Sequence, residues 1–137
     1  MLKNNIDMLN KNWTNFILNS SNTHRIPNNK GGVYLIVSVD ARVANVPIGV
    51  NVLYVGKAAN SIRSRFGRYV NVLSHHNKKL LSIYQSKQLE FWFVELNSDQ
   101  IDLYETFLIT EMQKYNRDFT NKVIRKFNIK EKEREAA

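Results

Sequence analysis

The chain has 137 residues, a formal net charge of +8, no cysteine and only two prolines. That length suits one domain with a real core, and an apolar fraction of 43% excludes disordered, collagen-like and linker-rich classes. No disulfide framework or thiolate site can form, no run reaches the ~20 apolar residues of a membrane span, and Met1-Leu2-Lys3-Asn4-Asn5 lacks a secretory apolar core, so a cytoplasmic protein is expected.

In chain order, Ile6, Leu9, Trp13, Phe16 and Ile17 fall on a helical stripe and predict an accessory helix through about Ser20. Pro27-Asn28-Asn29-Lys30-Gly31-Gly32 is turn chemistry. Val33 to Val39 is β-branched and nearly all apolar, which predicts a strand buried on both faces. Ala44 to Asn51, with Pro47 and Gly49, predicts a loop or hairpin connection to a second strand over Val52 to Val55. Ser61 caps a predicted helix from Ile62 to about Leu73, with Ile62, Phe66, Tyr69 and Leu73 inward. A short helix over Lys78 to Ser86, a third strand over Leu89 to Leu96 and a long helix to about Asn116 follow. Residues 122–137 form a charged tail. The expected fold class is therefore α+β: a small three-stranded antiparallel sheet flanked by helices, with an extra N-terminal helix. The expected organisation is an accessory helix and linker over 1–30, one domain over 31–121, and the tail.

Two features point to chemistry. Ile101, Tyr104, Leu108, Met112 and Tyr115 form the apolar stripe of the long helix, and Glu105 lies inside it. A carboxylate there is costly unless it pairs with a base as a structural ion pair or holds a cation. The second feature is a tract from Asp40 to Glu90 with no acidic residue between them, carrying Arg42, Lys57, Arg63, Arg65, Arg68, Lys78, Lys79 and Lys87. Such a surface suits a polyanion, with phosphate the natural partner. His75-His76 is a weak metal pair, because neighbours on a helix point about 100° apart. Trp13 and Trp92 read as core.

Gly32-Val33-Tyr34 followed by Tyr54-Val55-Gly56-Lys57, then Arg65, Glu105 and Asn121 in order, resembles the GIY-YIG nuclease superfamily. The string from Tyr54 through Arg65-Phe66 to Tyr69 looks most like the amino-terminal nuclease domain of the bacterial excision-repair endonuclease. The spacing between the two tyrosine motifs is longer than usual, through an insertion around Asp40 to Asn51. Asn116 competes with Asn121 for the terminal asparagine, and Asn121 is favoured.

The resemblance implies a metal-dependent endonuclease that hydrolyses DNA by one-step attack of water. It implies Tyr54 as general base with Lys57 as its activator, Tyr34 and Tyr69 as phenolic neighbours, and Arg65 on the scissile phosphate. Tyr34 remains an alternative base. Glu105 becomes the ligand of Mg²⁺ or Mn²⁺, and one carboxylate suits a cation that keeps most of its waters. Gly56 is expected to let the chain turn so that Lys57 enters the cleft, with Gly32 and Asn121 structural at the site. Arg63, Arg68, Lys78 and Lys79 are candidate nucleic-acid contacts. The expected partner is DNA, engaged by a bacterial or phage-encoded monomer or homodimer, with a recognition protein as a further partner. The alternatives are a catalytically silent nucleic-acid-binding module and a nuclease component active only within a larger assembly.

Overall fold

Four strands form one antiparallel sheet in the order β1-β4-β2-β3: β1 (Thr14–Ile17), β2 (Gly32–Val43), β3 (Val46–Ala58) and β4 (Leu89–Glu95). Among the described residues three helices accompany them, α1 (Ile62–Val70), α2 (Lys78–Ser86) and α3 (Ser98–Tyr115). This computed structural model describes residues 12–44, 46–72, 77–115 and 120–121.

β2 lies between β3 and β4, and residues 32–38 are buried, as its unbroken apolar run requires. Strand alternation sends its side chains to two cores. Tyr34 and Ile36 join Leu53, Phe91, Phe93, Ile62, Phe66 and Leu80 on the face covered by α1 and α2. Val33, Leu35 and Val37 join Val55, Val94, Ile101, Leu108 and Ile109 under α3. Trp13 and Trp92 pack against this second core, and the Trp92 indole donates to Glu90 Oε1 at 3.0 Å.

The described part of the predicted N-terminal helix is a strand. Thr14 to Ile17 pair with Phe93 to Glu90 along the outer edge of β4, and a 3-10 turn follows at Ser20–Arg25. An open edge of β4 offers ladder hydrogen bonds that an isolated helix stripe cannot match, and the short run Trp13, Phe16, Ile17 fits either period. Residues 1–11 lie outside the described residues. The sheet accordingly has four strands rather than three.

Residues 46–51 are strand as well. The β2–β3 ladder continues from Val39↔Val50 to Val43↔Val46, so the connection is short, with Ala44 at φ 50°. β4 pairs with β2 only as far as Ser38. The hairpin therefore runs on past β4 as a two-stranded ribbon, with Val43 and Val46 exposed near its tip.

α1 begins where Ser61 predicts it. Ser61 Oγ accepts from Ser64 N at 3.2 Å, and the Ile62 and Arg63 amides reach the Lys30 and Pro27 carbonyls at 2.9 and 3.0 Å. These bonds fix the helix start against the loop before β2, which sets the rotation of its inward face.

Candidate active site

The register of β2 and β3 makes the first contact of the site. Tyr34 stands opposite Gly56, and a Cβ built on Gly56 would overlap the Tyr34 phenol. The glycine is thus a gap for a ring, in a regular stretch of strand, and does not make the sharp turn expected from the sequence. Gly32 likewise lets the Val94–Glu95 backbone approach closely. With room made at Gly56, the Tyr34 ring stacks on Phe91 at 4.9 Å.

A β-bulge supplies the second phenol. Ile36 pairs with Tyr54 and Val37 with Val52, leaving Leu53 as an extra residue in β3. Leu53 and Tyr54 consequently both pack on the α1 side, while Val52 and Val55 pack under α3. The third phenol, Tyr69, is on the inner face of α1 with Ile62 and Phe66. The ring centroids of Tyr34, Tyr54 and Tyr69 lie 5.7–6.3 Å apart. The Tyr34 and Tyr69 hydroxyls are 2.7 Å apart, and Tyr69 also hydrogen-bonds Tyr54. Burial pushes all three phenols above their ordinary value by disfavouring the phenolate. Tyr69 hydrogen bonds and the Arg65 charge act the other way on Tyr34 and Tyr54.

Arg65 is half-buried, one turn before Tyr69, and its field reaches Tyr34, Tyr54 and Lys57. Glu105 comes from α3, is 5% exposed, and acts on the same three groups. Phenols from two strands and α1, a guanidinium from α1 and a carboxylate from α3 thus share one electrostatic environment. Among the described residues no group of three or more His, Asp or Glu gathers as a cation site. Glu105, nearly buried, could supply one carboxylate to a magnesium-like cation, a donor set that would leave most of its sphere to water and phosphate oxygens.

The remaining predicted residues fall in different places. Lys57 faces α3, and its Nζ donates to Asp102 at 2.5 Å, a bond that raises its pKa. Tyr54 faces α1, so strand alternation separates this ammonium from the phenol that it was expected to activate. Arg63 bonds the Ile26 and His24 carbonyls at 2.8 and 3.1 Å, tying α1 to the 3-10 turn. Arg68, expected as a nucleic-acid contact, contributes a field at Tyr54. Lys78 and Lys79 are exposed in the first turn of α2. His75, His76 and Asn116 lie outside the described residues.

Asn121 closes the outer edge of β3. Its Oδ1 accepts from the Val55 amide and its Nδ2 donates to the Val55 carbonyl, both at 2.7 Å. Thr120 N donates to the Leu53 carbonyl at 2.6 Å, and Asn77 Nδ2 donates to Thr120 Oγ1 at 3.1 Å. The bulge that aims Tyr54 is therefore clamped from outside. Asp102 and Asn77 are the residues that sequence reasoning passed over. Asp102 precedes Glu105 by one helical turn, a spacing that puts both on neighbouring positions.

Tyrosines, an arginine and a buried carboxylate thus come together in one small α+β domain. A family model described as the GIY-YIG catalytic domain matches residues 30–118, and the chain belongs to that endonuclease family. No curated protein and no solved structure gave a significant match.

Proposed function

We propose that this protein is a metal-dependent endonuclease that hydrolyses DNA phosphodiester bonds by one-step attack of water. The observation that carries the reading is the hydrogen-bonded phenol cluster sharing its field with Arg65 and Glu105. Tyr54 is the least enclosed of the three phenols, so it can meet a water. A phenol has one O–H to give. With Tyr69 donating to Tyr54, the bond favours a Tyr54 phenolate, formed by loss of its own proton to solvent before the reaction; that phenolate takes a proton from the attacking water and becomes the neutral phenol. Arg65 binds the scissile phosphate with its planar fork and neutralises charge on the equatorial oxygens. Bound by Glu105, Mg²⁺ or Mn²⁺ would supply further charge stabilisation at the phosphate and the leaving oxygen. The water oxygen bonds to phosphorus as the bond to the leaving sugar oxygen breaks. The acid-free tract supports a DNA backbone as the substrate surface.

Single-turnover cleavage of a labelled duplex by wild type and Arg65→Ala tests this assignment. Loss of one preorganised charge donor should lower the rate by about 10²–10³ with the fold intact by circular dichroism. Cleavage by Arg65→Ala at the wild-type rate would remove Arg65 from the chemistry.

A further inference from the structure

Asp102 takes no part in the proposed chemistry, yet it pairs with a lysine one helical turn from Glu105. It lies one turn before Glu105 on α3, with 76% of its side chain exposed, and its Oδ1 accepts from Lys57 Nζ at 2.5 Å. Lys57 comes from β3, beyond Tyr54, and its ammonium feels Glu105 and Arg65 as well as Asp102. The pair therefore runs from the sheet edge to α3, beside the buried carboxylate.

An exposed carboxylate at this point is a liability for a protein that must admit a polyanion, because it repels each approaching phosphate. Its bond to Lys57 changes that balance. An ion pair with side chains 42% and 76% exposed is weak and exchanges readily for another anion. A backbone phosphate offers the same ammonium an anion together with release of condensed counterions.

Resting on the nuclease reading, we propose that Asp102 is a placeholder for a nucleic-acid phosphate: it holds Lys57 in the free protein and yields it to the DNA backbone on binding. Lys57 is then a phosphate subsite on the α3 side of the site, within the field of Glu105. Asp102 is a positioning residue that keeps the ammonium in place there and exacts a cost in affinity for doing so.

Binding of a short labelled duplex in EDTA, measured by fluorescence anisotropy over a salt series, tests the exchange with the full chain. Asp102→Asn should tighten binding about two- to five-fold, the worth of the exposed pair it removes. The slope of log affinity against log salt should stay unchanged, because the Lys57–phosphate contact forms in both proteins. Lys57→Met should flatten that slope by about 0.9, the signature of one phosphate fewer being neutralised. In the Lys57→Met background, Asp102→Asn should tighten binding by a clearly smaller factor, because only its repulsion of phosphate is then removed. Equal tightening in that background would mean that Asp102 acts only as a distant negative charge, and would overturn the placeholder role while leaving the nuclease reading intact. Weaker or unchanged binding by Asp102→Asn alone would overturn it too. Wild-type protein that binds no duplex at any salt level would overturn both.

Discussion

Gly56→Ala perturbs the site through a single methyl group. The new Cβ would meet the Tyr34 ring and hydroxyl, and that phenol has nowhere to go. It is 2% exposed, stacked on Phe91 at 4.9 Å and bonded to the Tyr69 hydroxyl at 2.7 Å. Overpacking a close-packed site of this kind costs about 1–3 kcal/mol. A gain of up to about 1 kcal/mol from replacing a strand glycine works against it, so the net loss should be about 1–2 kcal/mol. With a urea slope of about 1.5 kcal/mol/M, the unfolding midpoint should fall by roughly 1 M at unchanged slope. Urea titration followed by circular dichroism reads this directly. The same substitution in a Tyr34→Ala background should be neutral or stabilising, since the ring it collides with is gone. An equal loss in both backgrounds would refute the argument that Gly56 exists to seat Tyr34.

Two other outcomes follow from the same geometry. Asn121→Ala removes both 2.7 Å bonds to Val55 and leaves a part-buried amide and carbonyl on the edge of β3. It should cost about 1–3 kcal/mol in urea unfolding and lower cleavage with it, and wild-type stability would deny the clamp. Burial holds the Tyr34 phenol above its ordinary value of about 10, so above that pH the unfolded chain has given up a proton that the folded chain keeps. The stability from this group is therefore full below about pH 10 and falls by about 1.4 kcal/mol per pH unit above it. Urea unfolding between about pH 9 and about pH 11 should show a shallower decline for Tyr34→Phe, and parallel declines would refute it.

The legible parts of this fold were those with a strong local signal. The run Val33 to Val39 announces a central strand, Ser61 announces the start of α1, and Glu105 stands out because a carboxylate interrupts an apolar stripe. Asn121 was singled out by a resemblance that Asn116 could also fill, and its two bonds to Val55 depend on a bulge that no local pattern records. Thr14–Ile17 was misread because a short apolar run fits two periods, and the deciding factor is the open edge of β4, a tertiary fact. Ala44 to Asn51 was read as a loop or hairpin connection because Pro47 and Gly49 signal turns; it is the hairpin, with the ladder carried through both residues on β3, an edge strand where they are tolerated. Lys57 shows the limit most clearly. Its nearness to Tyr54 along the chain suggested a shared cleft, whereas strand alternation and Asp102 draw it to the α3 side.

The most direct test of the central claim is conversion of supercoiled plasmid by the purified full chain, with Mg²⁺ or with EDTA, beside Glu105→Gln. The account predicts nicked or linear product with the cation, none with the chelator, and a loss of at least about 10²-fold in Glu105→Gln at unchanged fold. Cleavage that persists in EDTA, or that Glu105→Gln performs at the wild-type rate, would contradict it.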